Sequence, residues 1–94
     1  MIKHVVCFKL NEGEDPDRVK EVLMGMRGNV PSVKDIEVGV DFLHSARSYD
    51  VILTVTLESR EILDQYQNDP YHVNVVKKHM HAVTKSSVAV DYDI

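Results

Sequence analysis

Hydrophobic and polar positions alternate from Ile2 to Leu10. Ile2, His4, Val6, Phe8 and Leu10 fall on one side, and Lys3, Val5, Cys7 and Lys9 on the other. A period of two belongs to a strand. Apolar residues on both sides predict a strand covered twice, by helices on one face and by something else, such as a second subunit, on the other. Asn11-Glu12-Gly13-Glu14 breaks the alternation, Asp15 can cap a helix, and Pro16 suits its first turn. Val19, Val22, Leu23, Met26 and Val30 then recur at helical spacing, and Gly28 and Pro31 close the segment. From Lys34, Ile36, Val38, Val40 and Phe42 alternate with Asp35, Glu37, Gly39 and Asp41, which predicts a second strand with one buried face. The polar stretch His44–Ser48 turns the chain into a third strand, where Val51, Leu53, Val55 and Leu57 define the inner face. Ser59 is a candidate cap for a short helix carrying Ile62, Leu63 and Tyr66. That helix must stop before Pro70, because the residue preceding proline avoids helical dihedrals. Asp69 and Pro70 restart it with Val73, Val76, Met80 and Val83 as its stripe, and Val88, Val90, Tyr92 and Ile94 alternate in a last strand.

The order is β-α-β-β-α-β, an α+β pattern. A right-handed β-α-β crossover leaves room for the third strand between the first two, which predicts a four-stranded antiparallel sheet in order 4-1-3-2 with both helices on one face. The other face then exposes Val5, Cys7 and their neighbours, an apolar surface that a small monomer tolerates poorly. Two-fold pairing of open faces, a homodimer, solves the problem.

Ninety-four residues hold a single domain, residues 1–94, with a thin core. With 44% hydrophobic and 28% charged residues, the chain has the composition of a globular protein rather than a disordered one. A net charge of −4 without any basic run beyond Lys77-Lys78 argues against nucleic-acid binding. One cysteine makes no internal disulfide, and no apolar run is long enough for a membrane span or a signal peptide. These features predict a cytoplasmic protein that is not bound to membranes. No phosphate-binding glycine loop or internal repeat occurs, and no cofactor is expected.

Four segments carry a resemblance. They are Lys3-His4-Val5-Val6-Cys7-Phe8-Lys9, Val30-Pro31-Ser32-Val33 with Glu37-Val38-Gly39, the stretch Tyr66-Gln-Asn-Asp-Pro-Tyr-His-Val73, and Val90-Asp91-Tyr92. In that order and at those separations they resemble the stress-responsive α/β-barrel (Dabb) family over nearly the whole chain. The resemblance implies a ferredoxin-like subunit that pairs into a dimeric α/β barrel. It leaves activity open, because fold does not fix chemistry. One plant member is a polyketide cyclase acting through a tyrosine and a histidine six residues later, which implies Tyr66 and His72 here as the catalytic pair. That enzyme also has a pocket histidine at the strand position matched by His4. Many members carry histidine before the proline, where this chain has Asp69.

The residues allow more than one reading. His4, on the strand face toward the helices, is either a core-edge histidine with one satisfied hydrogen bond or a ligand contact. His72 lies roughly 60° from the centre of the Val73/Val76/Met80 stripe at about 100° per residue, so it borders the core as a packing group or a base. Tyr66 is a core aromatic or an oxyanion donor. His79 and His81 point about 200° apart on a helix, which suits no single metal ion. Isolated histidines do not make a haem site either. Three functions follow. The first is a small apolar or aromatic ligand bound between sheet and helices, against His4, Val6, Phe8, Leu23 and Met26. The second is a cyclase-like aldol or lyase enzyme using Tyr66 and His72. The third is a structural dimer whose interior is filled by Phe8, Leu23, Met26, Tyr66 and Met80.

Overall fold

Four strands make one antiparallel sheet in the computed structural model, which describes Met1–Ile94. They are β1 (Ile2–Leu10), β2 (Asp35–Val40), β3 (Val51–Leu57) and β4 (Thr84–Asp93), in the order β2-β3-β1-β4, the expected order read from the other edge. β1 lies centrally, with His4 opposite Val55 on β3 and opposite Asp91 on β4. In this register Ile2, His4, Val6, Phe8 and Leu10 share a face with Val51, Leu53, Val55 and Leu57, and the helices cover that face. Ile52, Val88, Val90 and Tyr92 lie on the opposite face and are exposed.

The helices begin where their caps predict. The Asp15 carboxylate accepts the Asp17 N–H at 2.9 Å and Pro16 opens α1 (Pro16–Met24). α1 ends at Gly25, earlier than the expected stop at Gly28. The Met26 and Arg27 N–H groups turn back to carbonyls three residues earlier, so the chain tightens while Met26 and Val30 stay buried. Ser59 precedes α2 (Arg60–Gln67), but its hydroxyl caps none of the helix N–H groups. Asp69 does cap: its Oδ1 accepts from the N–H groups of Tyr71 and His72 at 2.8 and 3.2 Å.

Two expectations need correction. Phe42 was placed on the buried face of the second strand, yet β2 ends at Val40 and Phe42 is 90% exposed. Asp41 causes this, because its carboxylate accepts the His44 N–H at 2.7 Å and bends the chain into the turn. Val73 was placed in the inward stripe, yet it is exposed and His72 is buried instead. Residues His72–Lys77 form a π-helical segment before α3 (Lys78–Val83). The wider i→i+5 turn changes the helical phase, so the inward residues become His72, Val76, Met80 and Val83.

Sixteen buried hydrophobic residues form the core, with Leu23, Met26, Val55, Leu57 and Tyr66 fully covered. The helices pack most closely on β2 and β3. Less helical surface presses on β1 and β4, and there the two layers part.

Candidate functional site

The parting of the layers leaves a cavity of about 280 Å³ between β1 and the π-helical segment. Leu23, Met26, Tyr66 and Met80 are buried as a filled core requires, and the space lies beside them, open to solvent on one side. β1 supplies His4, Val6 and Phe8, α1 supplies Leu23, and β3 supplies Leu53. Tyr66 comes from the last turn of α2, and His72, Val76 and Met80 come from the helix that starts at Asp69. The exposed residues His81 and Ser87 mark the side that opens to solvent. Met26 does not line this space, unlike the other expected contacts. It sits behind Tyr66 and accepts its hydroxyl proton at Sδ, 3.6 Å away.

His4, Tyr66 and His72 meet as a cluster. The His72 imidazole stacks on the Tyr66 ring with centroids 4.5 Å apart, and His4 approaches the same ring edge-on at 5.7 Å. All three side chains are buried. Strand alternation carries His4 there, and the π-helical phase carries His72.

Each ring has its own electrostatic setting. His4 Nδ1 is held by the Asp91 carboxylate from the neighbouring strand. Such a pair fixes the ring and leaves Nε2 as its remaining polar atom. Burial pushes the His72 pKa below the ordinary histidine range, and the Lys77 ammonium pushes the same way, partly offset by the Gln67 and Tyr66 carbonyls. A neutral imidazole results near pH 7. Its Nδ1 is buried and has no hydrogen-bond partner. An orphaned buried acceptor or donor costs about 1–3 kcal/mol, which a ligand carrying the complementary group would relieve. Burial pushes the Tyr66 hydroxyl well above the ordinary phenol range, so it remains protonated. No group of three or more His, Cys, Asp or Glu side chains is arranged to hold a metal ion.

Asp91 is the functional neighbour that sequence reasoning missed. The alternation of β4 places it on the inner face and the predicted sheet order places β4 beside β1, but the pairing register was needed to bring it to His4. Gln67, Lys77 and His81 also line the cavity without having been expected there.

A model of the Stress Responsive A/B Barrel Domain matches residues 2–94. The chain belongs to that family. Among curated members it is 26% identical over 95 residues to a stress-response A/B barrel domain-containing protein of Arabidopsis thaliana, covering 98% of this chain and 36% of the relative. The chain thus spans about a third of that relative's length. Among solved structures, a dimeric ferredoxin-like protein of unknown function from Bacteroides fragilis superposes with a TM-score of 0.83 at 22% identity, covering 99% of this chain and 95% of that one. A hydroxynitrile lyase from Passiflora edulis shares the fold at 16% identity, with a TM-score of 0.79 over 99% of this chain and 92% of its own. At these identities the structural likeness establishes the Dabb subunit fold, ferredoxin-like with an antiparallel sheet. No helix of this Dabb domain is long and apolar enough to cross a membrane.

Proposed function

We propose that this Dabb domain is a homodimer whose subunits each bind a small, mainly apolar or aromatic molecule between sheet and helices. The observation that carries the reading is the cavity itself, with 7 hydrophobic residues among its 14 and two lining residues, His72 and Thr84, that each hold a buried polar atom without a partner, Nδ1 and Oγ1. Such a lining holds a ligand by shape and orients it by a few polar contacts. An apolar cavity of about 150 Å³ accepts benzene. The larger space here, about 280 Å³, fits a single ring with a short chain or a fused pair of rings. The exposed apolar residues of the helix-free face support the homodimer, as does the dimeric description of the Bacteroides protein. Titrating a panel of one- and two-ring aromatic compounds while recording NMR shifts of the His72 ring tests the reading. Saturable shifts are expected, and no response to any compound at millimolar concentration would overturn it.

The second reading is an aldol or lyase enzyme. One observation favours it: burial and Lys77 hold the His72 pKa below the ordinary histidine range, which favours the neutral ring a general base requires. The Tyr66 hydroxyl stands against it, since its proton is directed at Met26 and away from the cavity. Turnover of a carbonyl substrate that falls about 10²–10⁴-fold in His72→Ala, with the dimer intact, would establish this reading in place of simple binding.

A further inference from the structure

The rim of the cavity has a sign. Fifteen acidic residues outnumber eleven basic ones in the chain, yet no aspartate or glutamate lines this space. The lining side chains able to carry charge as cations are Lys77, His4, His72 and His81. Of the six basic residues without a carboxylate partner, Lys77 is the one that lines this space. Lys9, Arg18, Arg27, Lys34 and Arg60 each meet a carboxylate within ion-pair distance, whereas Lys77 meets none. Its half-buried side chain donates once, to the Gln67 carbonyl at 3.1 Å, and two of its three donors remain free. The nearest acid to the cluster, Asp91, lies outside the lining and is occupied by His4. The Lys77 charge reaches into the cavity, since it helps hold His72 neutral.

We infer that the ligand is an anion: a small aromatic or branched aliphatic carboxylate, its charge at Lys77 and its apolar body against Phe8, Leu23 and Leu53. This rests on the proposed binding function and adds the charge of what is bound. A half-buried cation at the cavity wall, with no acid to answer it, favours a monoanion over a neutral molecule of the same shape. A charge-assisted hydrogen bond in a partly desolvated site corresponds to a preference of about tenfold in affinity.

Two probes of equal shape test the inference, 4-ethylbenzoate and 4-ethylbenzamide, titrated calorimetrically at pH 7.5 with His72 ring shifts followed in parallel. The parent protein is expected to bind the carboxylate about tenfold more tightly than the amide. Lys77→Gln should bring the two affinities together by weakening the carboxylate alone, and Lys77→Arg should keep most of the preference. Equal affinities in the parent, a preference that survives Lys77→Gln, or carboxylate binding that leaves the His72 shifts unmoved would each overturn the inference while leaving a neutral-ligand cavity intact. If neither probe binds while other compounds of the aromatic panel do, the inference falls and the binding function stands; if nothing in the panel binds, the binding function falls as well.

Discussion

At His72 a single ring records the balance between burial and protonation. Its folded-state pKa is depressed by burial and by Lys77, so protonation is easier in the unfolded chain than in the folded one. The resulting stability is present in full above the unfolded-state value near about 6.5 and is lost as pH falls through the lower folded-state value. Thermal unfolding followed from pH 8 to pH 5 should therefore decline more steeply in the parent than in His72→Gln; parallel curves would show that His72 does not contribute. Asp91 acts on the neighbouring ring. Asp91→Ala strips His4 of its partner, and since the carboxylate is partly exposed the expected loss is about 1 kcal/mol, measured by urea unfolding at neutral pH. The sequence showed His4 and Tyr66 through plain alternation and stripe position. It left His72 on a border because a uniform turn of about 100° per residue does not anticipate a π-helical stretch. It missed Asp91 because register between strands far apart in sequence is set by packing.

Among the elements, α1 and the helix beginning at Pro70 approach closely at Gly25. A Cβ at Gly25 would lie 2.7 Å from the Tyr71 hydroxyl oxygen, closer than any real contact. Gly25→Ala is thus expected to destabilise the protein by roughly 1–2 kcal/mol through overpacking. Tyr71→Phe removes the obstructing oxygen, and in that background the same change should cost less, the remaining close neighbour being the Val22 carbonyl oxygen at 3.1 Å. A double-mutant cycle in urea measures the coupling; additive effects would place the strain elsewhere. Caps and breakers made most element starts legible: Asp15 with Pro16, Asp69 with Pro70, and the polar hairpin turn all stand where their chemistry requires. The ends were less legible. Gly25 and Gly28 are both plausible stops for α1, and the turn after β2 depends on a side-chain bond from Asp41 that alternation does not report.

For the molecule as a whole, the helix-free face decides the assembly. Ile52, Val88, Val90 and Tyr92 form an apolar patch spread over β3 and β4, with Val5 and Cys7 of β1 between them. Sedimentation at micromolar concentration is expected to give about twice the chain mass of 10.7 kDa. Val90→Glu should shift the population toward monomer with little change in helix content. A parent that sediments as a monomer at every concentration would refute the homodimer. The same patch bears on β4. Every residue of that strand after Thr84 is exposed in the single subunit, and its outer edge has no neighbouring strand. Its ladder to β1 and the grips of His4 on Asp91 and Arg60 on Asp93 hold it in place. Because β4 also supplies the Thr84 and Ser87 wall of the cavity, the pocket depends on an edge strand that is held from one side only. Deuterium uptake by the β4 amides should thus slow as protein concentration rises, and ligand release should slow with it. Dilution, without any change of pH, temperature or solvent, would then be enough to empty the cavity.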